Sequence, residues 1–197
     1  MIALLDYGAG NVGSVLKAVQ YLGYPAEVVS TPELLDSAEK IILPGQGHFA
    51  SMIQALGERR LLGPVKKKIS AKVPYLGICL GLQALYESSE EAPGVSGFGV
   101  LNGTVTRFKM LTKVPQIGWN QLQLRGSKGL FKGVADGSFA YYCHSYYGPV
   151  VREAVAVTEY GETYTSGIEK GYVWAVQFHP EKSGEVGLRV LKNFLEM

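Results

Sequence analysis

The stretch Val73-Pro74-Tyr75-Leu76-Gly77-Ile78-Cys79-Leu80-Gly81-Leu82-Gln83-Ala84-Leu85-Tyr86 constrains this chain more than any other. A short apolar run ends at Gly77. After Gly81 the apolar positions Leu82, Leu85 and Tyr86 take up helical spacing, so a strand hands over to a helix between them. Cys79 stands between two glycines at that junction. Gly-x-Cys-x-Gly has the layout of the Gly-x-Ser-x-Gly elbow, in which small neighbours let a tight, strained turn lift the central side chain out of the sheet. A sulfur so placed also meets the positive end of a helix dipole, which favours thiolate over thiol. The flanking glycines argue for a nucleophile and against a buried structural cysteine.

A nucleophilic thiolate needs a base, and the base needs an orienting acid. The sequence offers three histidines. His48 follows Gly47 where a helical pattern begins and has no acid close by in sequence, which predicts a solvated helix-start residue. His144 adjoins Cys143, and neighbouring side chains on an extended strand face opposite ways, so those two cannot act together. Cys143 itself reads as a small core residue. His179 closes the apolar run Tyr172-Val173-Trp174-Ala175-Val176-Gln177-Phe178 and is followed by Pro180-Glu181-Lys182. Proline fixes the chain as it leaves the strand, and Glu181, two residues on, reaches the imidazole from the same side. Cys79, His179 and Glu181 are therefore the candidate triad, and the fold has to bring the first to the other two.

Gly77-Ile78-Cys79-Leu80-Gly81 with Gln83 behind it, Pro44-Gly45-Gln46-Gly47 upstream and Phe178-His179-Pro180-Glu181 near the C-terminus resemble the triad (class I) glutamine amidotransferases. Within that class, Asp6-Tyr7-Gly8-Ala9-Gly10-Asn11, Gly118-Trp119-Asn120, His144-Ser145-Tyr146-Tyr147 and Pro180-Glu181-Lys182-Ser183-Gly184 are similar to the glutaminase subunits of imidazole glycerol phosphate synthases, from end to end of the chain. The resemblance implies one amidotransferase domain over residues 1–197 that hydrolyses glutamine to glutamate and ammonia. It implies a heterodimer with a cyclase, a (β/α)₈ barrel that uses the ammonia to make imidazole glycerol phosphate in histidine biosynthesis. By the same resemblance Gln83, Glu91, His144 and Ser145 hold glutamine, Glu91 taking the α-ammonium, while Asn11, Trp119 and Lys182 face the partner. A solvated acidic loop around Glu91 and a solvated Lys182 are the plainer readings of those residues.

The oxyanion of a tetrahedral intermediate is expected at the backbone N–H groups of Leu80 and of the loop Gly45-Gln46-Gly47. The family often carries an apolar residue where Gln46 stands, a departure that a backbone donor tolerates. The glycines on either side of Gln46 leave the intervening peptides free to rotate, so the donor need not point inward at rest. No metal or organic cofactor is needed, because the thiol supplies the covalent chemistry.

The rest of the chain supports an α/β fold. Ile2-Ala3-Leu4-Leu5 reads as a buried strand, and Val12, Val15, Leu16, Val19 and Leu22 as the apolar face of a helix. Between them Gly8-Ala9-Gly10-Asn11-Val12-Gly13 is a literal G-x-G-x-x-G, so a dinucleotide-binding module is the non-enzyme alternative. Against it, Asp6 would set a carboxylate near the pyrophosphate, and the second strand, Ala26-Glu27-Val28-Val29-Ser30, ends in serine rather than the acid that holds a ribose. Lys40-Ile41-Ile42-Leu43 is a third strand, Phe49, Met52, Ile53 and Leu56 mark a helix, and Lys66-Lys67-Lys68 tips another with a solvated face. This alternation predicts a mostly parallel central sheet flanked by helices, with Cys79 at the carboxyl ends of the strands. The runs from Gly103 to Phe108, Gln121 to Leu124 and Ser138 to His144 predict an additional small antiparallel sheet, and Gly118-Trp119-Asn120 reads as a turn. Ala154-Val155-Ala156-Val157-Thr158 and the strand ending at His179 complete the main sheet, and Leu188, Leu191 and Leu195 form the core face of a closing helix.

Composition serves to exclude. At 197 residues the chain suits one domain, and 19 basic against 17 acidic side chains point to no nucleic acid and no acidic surface as partner. No apolar run reaches membrane length, and the segment Met1 to Asp6 lacks the basic flank of a signal peptide. Two cysteines, one of them reactive, fit a reducing cytoplasm. Two enzyme rivals are disfavoured or left to assay. The glutaminase subunit of pyridoxal phosphate synthase would be expected to carry Pro-Gly-Gly-Glu-Ser where Pro44-Gly45-Gln46-Gly47-His48 stands, and a cysteine peptidase would cleave peptides rather than free glutamine.

Overall fold

The computed structural model describes residues 1–109, 113–126 and 129–197. The N-terminal half runs Ile2–Leu5 (β1), Val12–Tyr21 (α1), Ala26–Val29 (β2), Pro32–Asp36 (α2), Lys40–Gly45 (β3), Phe49–Glu58 (α3), Leu62–Ser70 (α4), Tyr75–Cys79 (β4) and Leu80–Gln83 (α5). The C-terminal half continues with Ser88–Ser89 (β5), Thr104–Arg107 (β6), Gln116–Gln121 (β7), Gln123–Leu124 (β8), Phe139–His144 (β9), Tyr146–Tyr147 (β10), Ala154–Tyr160 (β11), Glu162–Lys170 (β12) and Val173–Val176 (β13). A 3-10 turn, Pro180–Lys182, then leads into the closing helix Gly184–Leu195 (α6).

The main sheet has eight strands in the order β2-β1-β3-β4-β13-β12-β11-β8. The first five in that order pair in parallel, and β12, β11 and β8 extend the sheet antiparallel. The parallel part is covered on both faces, and the two-residue period of the strands divides its side chains between them. Ala3, Leu5, Ile41, Leu43 and Tyr75 pack with Leu35, Phe49, Met52, Leu56 and Val65 of α2, α3 and α4. Leu4, Ile42, Leu76 and Ile78 pack with Val15, Val19, Val190, Leu191 and Phe194 of α1 and α6 on the other face. Each such leucine or isoleucine, fully buried, contributes roughly 1.5–3 kcal/mol. Because β1, β3, β4 and β13 are parallel, the loops after all four leave from one edge of the sheet, and the chain's chemistry gathers there.

Two small sheets stand beside the main one: an antiparallel pair, β7-β9, and a three-stranded sheet, β10-β6-β5, in which β5 and β6 run parallel. Gly118-Trp119-Asn120 lies inside β7 rather than in a turn. Its ladder to Tyr142, Tyr141 and Ala140 of β9 overrides a weak local propensity. Alternation along β9 sends Ala140, Tyr142 and His144 inward and Phe139 and Cys143 outward, so Cys143 is exposed and not a core residue. The strand β12 was not expected. Five consecutive residues of it, Tyr164 to Ile168, are buried, so it carries no alternation, and its Thr165-Ser166-Gly167 centre reads as loop. Its polar side chains are satisfied internally: Ser166 donates to the Thr158 hydroxyl, and the Tyr142 and Thr158 hydroxyls lie 2.7 Å apart. In α6 the core face is turned slightly from the expected one. Val190, Leu191, Phe194 and Leu195 are buried, and Leu188 is only half-buried.

Candidate active site

The elbow forms where β4 runs into α5. Cys79 has φ +54° and ψ −105°, a setting that ordinary residues avoid and that a tightly packed turn must impose. The glycines explain why it can exist. A Cβ at Gly77 would lie 2.5 Å from the Gly81 carbonyl oxygen, and one at Gly81 would lie 2.2 Å from the Leu43 carbonyl oxygen. Tyr75, wholly buried under the turn, donates its hydroxyl to the Gly81 carbonyl at 3.1 Å.

The strand β13, paired with β4 from Val173↔Tyr75 to Val176↔Ile78, carries the other half of the constellation. Just past its end, the His179 N–H donates to the Tyr141 carbonyl of β9, which seats the histidine between two sheets. The His179 ring is 2% exposed and the Glu181 carboxylate 0%, with Nδ1 to Oε1 at 3.0 Å. A carboxylate only accepts, so Nδ1 carries the hydrogen and Nε2 is left for the sulfur. Nε2 faces Cys79 without completing a hydrogen bond of good geometry, a looseness common at catalytic contacts before substrate binds. Burial alone would depress the His179 pKa. The negative charge and hydrogen-bond acceptance of the Cys79 sulfur, then Glu181, outweigh it and raise the value to about 10. Glu181 is held below the usual carboxylate range: its burial opposes this, and the bond to His179, the imidazolium charge and the Asn11 amide overcome it. Asn11 Nδ2 donates to the same Oε1 at 3.1 Å.

A cavity of about 450 Å³ opens over Cys79. Gln46, Gly47, Leu80, Gln83, Glu91, Pro115, Cys143, His144, Ser145, Tyr146 and Lys182 line it. The sequence profile of the glutamine amidotransferase class-I family matches residues 3–197. The chain belongs to that family. It is 45% identical over 195 residues to the imidazole glycerol phosphate synthase subunit HisH of Bacillus cereus strain G9842, covering 98% of this chain and 93% of that one. It is also 45% identical over 197 residues to the protein of the same name from Deinococcus radiodurans, covering 98% and 92%. A solved glutamine amidotransferase superposes with a TM-score of 0.78 at 21% identity, covering 99% of this chain and 97% of that one. The structure of PurLQS from Thermotoga maritima superposes with 0.75 at 19%, with the same coverage. At those identities the two structures establish the fold alone.

Most expected site residues of this class-I amidotransferase fall on the one cavity. Gly45 pairs with Cys79 across β3 and β4, and Gln46, Gly47 and Leu80 reach the cavity wall. Glu91 anchors one oxygen on the Phe49 N–H, 2.8 Å away at the start of α3, which leaves the other for a ligand. His48 caps the same helix, its ring nitrogen accepting from the Ala50 N–H. The amide nitrogen of Gln83 is committed to the Tyr146 carbonyl at 2.7 Å and to Gln177 Oε1 at 3.1 Å, so it faces the cavity as part of a fixed floor. His144 is buried, which pushes its pKa down to about 4; the bond to the Tyr146 carbonyl opposes this and the nearby His179 charge adds to it. Lys182 is exposed at the cavity mouth, with its ammonium 5.8 Å from the centre of the Tyr141 ring. Trp119 lies apart, 55% exposed on the outer face of β7. The glycine loop after β1 folds around its own acid, Gly8 N–H donating to Asp6 Oδ1, and sends Asn11 to the triad. The Gly8 N–H is thereby taken by a carboxylate, as the case against a pyrophosphate site expects.

Gln177 was missed. It is wholly buried, and its Nε2 lies 3.5 Å from Cys79 Sγ while its Oε1 accepts from Gln83. The signal was present as a single amide in an otherwise apolar strand, two residues before His179, hence on the same face. Among the described residues no group of three or more metal-ligating side chains comes together.

Proposed function

We propose that this chain is the glutaminase subunit of an imidazole glycerol phosphate synthase, hydrolysing glutamine at Cys79 and passing ammonia to a cyclase partner. The observation that carries the reading is the buried His179–Glu181 pair, 3.0 Å apart, set behind an elbow cysteine that opens into a cavity with room for an amino acid. The Cys79 thiolate attacks the side-chain amide carbon of glutamine, and the C=O electrons move onto oxygen, toward the backbone donors at Leu80 and Gly45-Gln46-Gly47. His179 Nε2 gives its proton to the departing nitrogen, ammonia leaves, and a γ-glutamyl thioester remains. Water then attacks the thioester as His179 takes its proton, the sulfur leaves as thiolate, and glutamate is released. Glu181 holds the ring in one tautomer and stabilises the imidazolium. Glu91 meets the α-ammonium of glutamine, and Gln83, His144 and Ser145 shape the amino-acid end.

The heterodimer is supported by the surface beside the site. Ile117, Trp119 and Phe139 are 62, 55 and 52% exposed and lie together on the outer face of β7-β9, an apolar patch next to the cavity mouth of the kind that partners cover. Lys182 adjoins it, with its ammonium over the Tyr141 ring that meets Trp119 edge-on. No described helix is long and apolar enough to cross a membrane. The test is a Cys79→Ala chain assembled with the cyclase: glutamine-dependent synthesis should vanish while synthesis from added ammonium salt survives. Glutamine-dependent turnover in that variant would refute the assignment.

A further inference from the structure

Beside the elbow lies a phenol that the triad does not use. Tyr7 follows β1 at the head of the glycine loop and is 2% exposed. Its hydroxyl is buried and has no hydrogen-bond partner among the described residues. Such a group is costly unless another state of the molecule satisfies it. Gly10, at φ +99°, locates the hydroxyl: a Cβ there would lie 3.5 Å from the Tyr7 oxygen, 3.5 Å from the Pro44 carbonyl oxygen and 3.8 Å from Gly45 Cα. The phenol therefore abuts the base of the turn Gly45-Gln46-Gly47. Burial raises its pKa to about 12; the Gln46 backbone N–H opposes that rise, and the charges of Cys79 and Asp6 add to it. Tyr7 thus keeps its proton and is a donor without an acceptor. The Gln46 N–H, for its part, is turned toward the phenol without reaching hydrogen-bond geometry.

Rotation of the Gly45–Gln46 peptide would supply the acceptor that the phenol lacks. Its N–H swings into the cavity, where the oxyanion forms, and its C=O swings back to accept from the phenol. Glycine at 45 tolerates the change, and beyond Gln46 the chain has room, since nothing lies within 4 Å of a Cβ placed on Gly47. We propose that Tyr7 is a positioning residue for the oxyanion hole: its hydroxyl captures the Gly45 carbonyl when the Gln46 N–H turns inward, and so sets the fraction of competent molecules. The proposal rests on the glutaminase reading above.

Tyr7→Phe removes the hydroxyl and nothing else. Assembled with the cyclase, the variant should lose about tenfold in kcat for glutamine hydrolysis with KM unchanged, the share of competent molecules that one hydrogen bond commands. Its melting temperature should hold level or rise, because an unsatisfied buried group is gone. Iodoacetamide should alkylate Cys79 at the wild-type rate, since displacement at a saturated carbon develops no oxyanion. An unchanged kcat overturns the proposal. So does a fall in kcat matched by slower alkylation or a lower melting temperature, which would mark Tyr7 as packing. A wild-type assembly that hydrolyses no glutamine overturns the glutaminase reading itself, and the proposal with it.

Discussion

Replacing Glu181 with glutamine removes one negative charge from the triad and leaves its shape intact. The amide oxygen of the new side chain can still accept from His179 Nδ1 and from Asn11 Nδ2, the two donors that meet Glu181 Oε1 at 3.0 and 3.1 Å. Across that distance, with an effective dielectric of about 20, the gross attraction between carboxylate and imidazolium is roughly 5 kcal/mol. Most of it is offset by desolvation, since both side chains are almost wholly covered. The net loss is better taken as the difference between a charge-assisted and a neutral hydrogen bond, about 1–2 kcal/mol, or a five- to thirtyfold fall in kcat. The same loss weakens one of the two influences that hold the His179 proton up to about 10, so the alkaline limb of the pH–rate profile should move to lower pH. Initial rates of glutamate release by wild type and Glu181→Gln, measured across the neutral and alkaline range, test both. A kcat within twofold of wild type together with an unmoved alkaline limb would show that Glu181 orients the ring and contributes no charge.

Glu91→Gln should raise KM for glutamine with little change in kcat, because a charge-assisted contact to the α-ammonium becomes a neutral one; an unchanged KM returns Glu91 to a helix-anchoring role at the Phe49 N–H. Gln177→Leu should lower kcat and cost roughly 1–3 kcal/mol in denaturant melts, since it strips a donor from the Cys79 sulfur and an acceptor from buried Gln83; wild-type activity would mean that the 3.5 Å contact is incidental. Stability should fall as pH rises from about 6.5 to about 10, because folded His179 keeps its proton while an unfolded histidine has released it; urea midpoints that stay flat across that window would contradict the raised pKa.

The local chemistry was legible in the sequence because it is written in short-range steric rules. Gly77 and Gly81 around Cys79 require a turn whose close approaches exclude any Cβ, and His179-Pro180-Glu181 sets an acid two residues from a base on the same side. The five parallel strands were legible for a similar reason: buried runs separated by helical periods admit few arrangements. Where burial erased the periodicity, legibility stopped. β12 looks polar at Thr165-Ser166-Gly167, and it is a buried strand because β11 and β13 pair with it on either side while Thr158 of β11 accepts the Ser166 hydroxyl. Gly118-Trp119-Asn120 reads as a turn and Cys143 as a core residue for one reason: the ladder between β7 and β9 makes the first a strand and decides which face of the second is outer, and no local propensity encodes that pairing.

By itself, then, the sequence determined which residues could do chemistry and the turn that presents the nucleophile. The tertiary structure decided what those residues touch. Gln177 against the sulfur and Asn11 on Glu181 join segments separated by 98 and 170 positions, and the unsatisfied Tyr7 hydroxyl meets the Gly45 turn because β1 and β3 are neighbours in the sheet. Such contacts arise when parallel strands bring the loops after β1, β3, β4 and β13 to one edge, and a fold's register, rather than its local propensities, selects them.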